Sequence, residues 1–222
     1  VSTSSAVFSE REVVPERTSS RNLIGILISG RGSNMLAILD RIAAGGLDAQ
    51  VALVIGNETR AAGLAAARAL GVPVLLIDHR QSATREAHDR KMAAALEAAG
   101  VRLICLAGYM RLLSAWFVDR FKGRIMNIHP SLLPSFPGTE AQRQAIEAGV
   151  KISGCTVHFV DERVDGGPII LQEAVPVLDD DTPESLAARI LEVEHQVYSR
   201  AIALFFSGRL RTVGRRVVGP AV

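Results

Sequence analysis

The sequence predicts an α/β fold: a single doubly wound, mostly parallel, Rossmann-like sheet with helices on both faces and an antiparallel C-terminal addition. Three observations predict it. Short apolar runs alternate with amphipathic stretches of helical spacing through the first half of the chain. Those runs are apolar at successive positions, as strands buried on both faces of a parallel sheet are. Beyond residue 150 two more strand-like runs follow one another with only a loop between them, which suits an antiparallel pair.

The elements follow in order. Leu23–Ser29 reads as the first strand. Ser33–Ala44 has helical spacing, with Met35, Leu36, Ile38, Leu39 and Ile42 on one face. Gln50–Gly56 is the second strand, and the Ala-rich stretch Arg60–Leu70 a second helix stopped by Gly71. Val72–Ile77 is a strand, Thr84–Ala99 a helix stopped by Gly100, and Arg102–Ala107 a fully apolar strand. Arg124–His129 closes the parallel set. Gly154–Val160 and Pro168–Val177 form the antiparallel addition. Thr182-Pro183-Glu184-Ser185 is a helix start, with a capping hydroxyl and proline in the first turn, and that helix extends to about Phe206. Gly208–Val218 reads as one last short strand. No internal repeat or linker divides the chain.

A chain of 222 residues, 48% of them hydrophobic, suits one domain with a sizeable core. The boundaries expected are a loosely ordered N-terminal extension over 1–21, a catalytic domain over 22–210 and a basic C-terminal tail over 211–222. The first 21 residues lack the apolar stretch of a signal peptide, and no apolar run is long enough to span a bilayer. A net charge of +2 gives no argument for nucleic acid binding. Cys105 and Cys155 are the only cysteines. They lie in apolar runs, form no metal motif, and read as buried free thiols in a reducing, cytoplasmic setting.

Two segments carry chemistry. Ser29-Gly30-Arg31-Gly32-Ser33-Asn34 joins the first strand to the first helix. Glycines let backbone approach a ligand there, and free N–H groups at a helix start favour an anion. A bare strand-to-helix turn and a dinucleotide loop are the alternatives. The dinucleotide fingerprint wants a third glycine where Met35 stands and an acidic residue where Gly56-Asn57 stands, so a monophosphate site fits better.

The second segment is Asn127-Ile128-His129-Pro130. Residues two apart on an extended chain face the same side, so Asn127 and His129 can address one reacting atom. Pro130 has no N–H and ends the ladder. Asp165, in Val164-Asp165-Gly166-Gly167-Pro168, lies in a glycine-bearing turn able to aim a carboxylate inward. Three readings stand at this point. One is purely structural, with turn-forming residues and a strand end. One is a metal site made of His129, His158, Asp161 and Asp165. One is acyl transfer, with an amide donor, an imidazole and a carboxylate around a carbonyl.

Asn127-Ile128-His129-Pro130-Ser131-Leu132-Leu133-Pro134 followed by Asp165-Gly166-Gly167-Pro168 resembles the signature of the folate-dependent formyltransferases. Gly30–Asn34, Gly108–Leu113, Cys155–Glu162 and Glu194-His195 match as well, and the resemblance covers about residues 22 to 210. Together these stretches narrow it to members that formylate glycinamide ribonucleotide in purine biosynthesis. The resemblance implies attack of that amine on the formyl carbon of 10-formyltetrahydrofolate, a co-substrate, with no metal. It implies that Asn127 donates to the formyl oxygen, that His129 supports the oxyanion and relays a proton, and that Asp165 orients His129.

Substrate contacts are implied by the same resemblance. Gly32, Ser33 and Asn34 hold the ribonucleotide phosphate, with Arg85 reaching it, Glu194 on the ribose hydroxyls and Pro130 closing the site. Folate lies against Met110, Arg111, Leu112 and Leu113 and under the loop of Val160, Asp161 and Asp165. His158 is expected as a neighbour of the site, and His79 and His88 as surface residues. Where some members carry a helper histidine, this chain has Thr139-Glu140-Ala141, which makes Glu140 a candidate replacement. The expected partners are the two small molecules, in a monomer or a homodimer, without nucleic acid or membrane.

Overall fold

The computed structural model describes residues 22–219. The proposed N-terminal extension, 1–21, lies outside them. One sheet of nine strands runs through the molecule in the order β3-β2-β1-β4-β5-β6-β7-β9-β8. Its parallel half consists of β1 (Leu23–Ile28), β2 (Gln50–Gly56), β3 (Val74–Leu76), β4 (Leu103–Leu106) and β5 (Ile125–His129). The helices that cross between them are α1 (Ser33–Ala43), α2 (Ala62–Ala69), α3 (Arg85–Ala98) and α4 (Ala115–Arg120). After α5 (Ala141–Glu147) come β6 (Ile152–Phe159) and β7 (Ile169–Pro176). β6 pairs antiparallel with β7, as the sequence predicts, and also antiparallel with β5. The long α6 (Pro183–Phe206) and a hairpin of β8 (Arg211–Val213) and β9 (Arg216–Val218) complete the chain.

The side-chain pattern explains why helices cover both faces. Ile24, Ile26 and Ile28 of β1 point to a core shared with α1 and α6, through Met35, Ile38, Ile190 and Tyr198. Leu27 points the other way, into a core with Met92 and Leu96 of α3 and Phe117 of α4. Each such large side chain contributes about 1.5–3 kcal/mol on full burial. The Tyr198 hydroxyl, wholly buried, lies 3.0 Å from both the Leu106 and the Met126 carbonyls, which fixes α6 beneath the ends of β4 and β5.

The structure differs from expectation in four places. Two short helices, α4 and α5, stand where none is predicted; α4 depends on Ser114, whose hydroxyl accepts from the Phe117 N–H. The third strand keeps only Val74–Leu76, because Pro73 cannot donate to a ladder. The final strand is a two-strand hairpin, and β9 joins the sheet edge beside β7. The α6 start does carry a reciprocal cap between Thr182 and Ser185.

Strand order reverses between β1 and β4. Sheets of this kind leave a crevice at the C-terminal ends of the strands where the order reverses. The Ser29–Asn34 loop, the Gly108–Leu113 segment and the Asn127–His129 pair all leave the sheet at those ends.

Candidate active site

The loop after β1 is built from backbone. Gly32 has φ of 74°, and a Cβ there would meet the Met35 side chain at 3.1 Å and the Gly63 backbone at 3.3 Å. Only glycine takes that left-handed position without strain. The Gly32 carbonyl then accepts the first helical bond from the Leu36 N–H. Ser29 ties neighbouring strand ends together: its hydroxyl donates to Asn57 Oδ1 at 2.6 Å and accepts from the Met110 N–H at 2.8 Å. A cleft of about 320 Å³ lies here, lined by Ser29–Asn34 together with Ala107, Gly108 and Met110.

Behind the cleft, Asn34 is tied to a buried carboxyl. Asn34 Nδ2 donates to Glu194 Oε2 at 2.8 Å, across 160 residues of chain. Both side chains are buried, so Glu194 is not a solvent-facing helix carboxylate. Burial pushes its pKa up to about 7, partly opposed by the Asn34 hydrogen bond. Asn34 Oδ1 has no hydrogen-bond partner among the described residues.

Asn127 and His129 share one face at the end of β5. In the β5–β6 ladder Asn127 stands opposite His158, and His129 opposite Thr156. Asp165 comes to them from the β6–β7 loop with φ of 49°, a left-handed conformation uncommon outside glycine. Gly167 makes the turn possible, since a Cβ there would fall 1.8 Å from the Phe159 carbonyl oxygen. The Asp165 carboxylate accepts from the Gly138 N–H at 2.8 Å. Its Oδ2 lies 3.4 Å from His129 Nδ1, and its Oδ1 lies 3.8 Å from His158 Nε2.

The other ring nitrogen of His129 is also engaged. Nε2 lies 2.9 Å from the Phe136 carbonyl, so both ring nitrogens face oxygen atoms. Thr156 holds the loop that brings this carbonyl. Its hydroxyl donates to the Ser131 carbonyl at 2.6 Å and accepts from the Leu133 N–H at 3.0 Å. His158 lies beside the site, as expected, and touches Asn127, a contact the sequence did not indicate. It is buried, its Nε2 is 3.3 Å from Asn127 Nδ2, and burial lowers its pKa.

The remaining candidates surround this centre. Met110 and Leu112 are exposed, with 76% and 53% of their surface open, while Arg111 and Leu113 are half-buried. Val160 is half-buried on the second core. Asp161 pairs with Arg163; burial pushes its carboxyl up, and the guanidinium more than offsets this, leaving it below the usual carboxylate range. Pro130 follows His129 and is half-buried. Arg85 is exposed at the start of α3 and is not among the residues lining the Ser29–Asn34 cleft. Glu140 forms an exposed ion pair with Arg143 at 3.2 Å.

One expectation is corrected: His88 is not on the surface but wholly buried, with Nε2 3.0 Å from the Ile77 carbonyl. The polar first half of α3, Arg85–Lys91, hid this, because a single histidine on its inner face has no periodic signature. His79 is half-buried, with Nδ1 3.0 Å from the Asn57 carbonyl. Burial pushes both thiols, Cys105 and Cys155, up to about 12, which keeps them as unreactive neutral groups. Among the described residues, no three His, Cys, Asp or Glu side chains converge as metal ligands do, and no helix is long and apolar enough to cross a membrane.

Known proteins of similar sequence and structure identify the family. The formyl transferase family model matches residues 22–202. Phosphoribosylglycinamide formyltransferase of Haemophilus influenzae is 43% identical over 188 residues, 85% of this chain and 89% of that protein. The structure of glycinamide ribonucleotide transformylase 1 from Symbiobacterium toebii superposes with a TM-score of 0.88 at 54% identity, covering 90% of this chain and 94% of the other. The trifunctional purine biosynthetic protein adenosine-3 of Drosophila melanogaster is 52% identical over 190 residues, and the match spans 85% of this chain but only 14% of that protein. The chain belongs to the formyl transferase family.

Proposed function

We propose that this protein transfers the formyl group of 10-formyltetrahydrofolate to the amine of 5'-phosphoribosylglycinamide, a step of purine biosynthesis, in the reducing cytoplasm. The observation that carries the reading is the approach of Asp165 to His129 at the end of β5, where Asn127 stands two residues away on the same strand; the glycine loop of Ser29–Asn34 at the end of β1 supports it.

The amine nitrogen attacks the formyl carbon, and the carbonyl oxygen becomes an oxyanion in the tetrahedral intermediate. Collapse breaks the bond from that carbon to N10 of the folate. One proton leaves the amine and one reaches N10, so the exchange balances with no external acid. Asn127 donates to the oxyanion; a preorganised donor of this kind contributes about 3 kcal/mol. His129 supports the same oxygen by exchanging its bond to the Phe136 carbonyl. Asp165 orients His129 and, directly or through water, carries the proton. Gly32, Ser33 and Asn34 hold the phosphate with Arg85, Glu194 takes the ribose hydroxyls, and Pro130 closes that side. Met110, Arg111, Leu112 and Leu113 line the folate site with Val160 and Asp161, their exposed apolar surface covered by the pterin.

An assay with 10-formyltetrahydrofolate, with and without 5'-phosphoribosylglycinamide, tests the reading. Acceptor-dependent loss of the formyl group is the expected result. Loss independent of the acceptor would mean hydrolysis instead, and no turnover under either condition would remove the enzymatic reading.

A further inference from the structure

We propose that His158 is a positioning residue for this reaction: its Nε2 lone pair holds the Asn127 amide so that the second Nδ2 hydrogen faces the formyl oxygen. The inference rests on the proposed formyl transfer and adds a group that the sequence signature leaves as a bystander.

The geometry assigns the hydrogens. His158 Nδ1 lies 2.9 Å from the Phe159 carbonyl oxygen, which can only accept, so Nδ1 carries a hydrogen. Asn127 Nδ2, which can only donate, lies 3.3 Å from Nε2, so Nε2 presents its lone pair. A free asparagine amide turns easily and can offer oxygen or nitrogen to a ligand. Here one N–H is anchored across the β5–β6 ladder, where the two residues stand directly opposite. Nitrogen rather than oxygen is thereby committed to the site, and a donor whose direction is fixed before reaction costs no reorganisation during it.

The charged and titratable groups facing His158 set a second consequence. They are Asp165 and Asp161 of the β6–β7 loop and His129 of β5. Burial is the largest influence and favours the neutral ring; His129 acts in the same direction, and the two aspartates oppose it. If His158 takes a second proton, Nε2–H confronts the Asn127 donor and is drawn to Asp165 Oδ1, now 3.8 Å away. The anchor is then lost. Turnover therefore falls as the pH drops through the lowered His158 titration.

The test compares kcat, KM and pH profiles of the wild type with His158→Phe, His158→Gln, Asn127→Ala and the Asn127→Ala/His158→Phe double variant. His158→Phe is expected to lower kcat about 10- to 100-fold, a fraction of the loss for deleting an oxyanion donor, with both KM values within about twofold. His158→Gln offers an acceptor oxygen in place of Nε2 and is expected to recover most of kcat, with its acid limb moved to lower pH. The double variant is expected to be no slower than Asn127→Ala alone, because His158 acts through Asn127. Thermal unfolding of each variant separates misfolding from lost positioning, and the glutamine variant keeps the test open if phenylalanine does not fold. A phenylalanine variant with kcat within about twofold of wild type, or single losses that multiply in the double variant, would overturn the assignment. Absence of formyl transfer by the wild type would instead overturn the proposed function, so the two failures are distinct.

Discussion

His88 and Asp89 approach to 3.3 Å, and His129 and Asp165 to 3.4 Å, yet the two pairs do different work. The first is sealed. His88 Nε2 meets the Ile77 carbonyl, Asp89 Oδ2 accepts from the Ser114 N–H at 2.6 Å, and neither side chain is open to solvent beyond a trace. Every strong valence is engaged by the chain, which ties α3 to the segment that leads into α4. The second pair sits at the strand ends, with 13% of the Asp165 side chain exposed and a left-handed backbone presenting it. Its carboxylate reaches toward two histidines from two strands without closing a normal hydrogen bond to either. A histidine–aspartate pair whose bonds the chain completes serves as scaffold; in the proposed reaction, the pair whose bonds remain open serves as machinery.

The largest effect expected from breaking this contrast is at Asp165. Asp165→Asn keeps an acceptor for the Gly138 N–H but removes the charge facing His129. Turnover is expected to fall about 10³- to 10⁴-fold, as loss of the orienting carboxylate does in comparable triads, while folate binding and the urea unfolding midpoint stay near wild type. Near-normal turnover in steady-state kinetics would take Asp165 out of the mechanism.

The sealed pair is expected to answer in stability instead. Asp89→Ala leaves the Ser114 N–H and His88 Nδ1 buried without their partner, and loss of one member of a buried pair costs about 3–5 kcal/mol. Urea unfolding is expected to show that loss, with kcat of the folded fraction within a few-fold of wild type. Full stability with lost turnover would place Asp89 among the machinery.

The two pairs also differ in how far the sequence discloses them. Asn127 and His129 are legible because a strand has a period of two, and the Ser29–Asn34 loop because its glycines punctuate a strand-to-helix turn. The parallel sheet is legible from its unalternating strands, and the antiparallel addition from the loop between Phe159 and Ile169. What stays hidden is non-local. His158 faces Asn127 because of the β5–β6 register, which joins residues 31 apart and leaves no mark on either segment alone. His88 lies inward on the polar first half of α3, where most of its neighbours in sequence are charged. The helices α4 and α5 are too short to show a period. The left-handed conformation of Asp165 is one that aspartate tolerates better than most residues, so the turn leaves little mark in the sequence.

Glu194 sharpens the contrast with a third arrangement: a buried carboxyl whose neighbour is an amide, not a histidine. An amide donor can relieve only part of the burial cost, so the pKa stands at about 7 against an ordinary 4.5. A raised folded value means that folding favours the protonated form. That contribution is fully present below about pH 4.5 and is lost as the pH rises through 7. The shift corresponds to about 3 kcal/mol in full, of which about 2.5 kcal/mol falls between pH 5 and pH 8. Glu194→Gln retains an oxygen for Asn34 Nδ2 and removes the titration. In urea unfolding at those two pH values, the variant is expected to gain on the wild type as the pH rises, by up to that amount; groups common to both proteins cancel in the difference. An equal response of the two proteins would mean that the carboxyl stays hydrated in the folded state. The phosphate that Gly32–Asn34 is proposed to hold would then meet an ordinary carboxylate near it. With the raised value it meets a group able to shed its charge, which suits an anionic ligand bound against a buried acid.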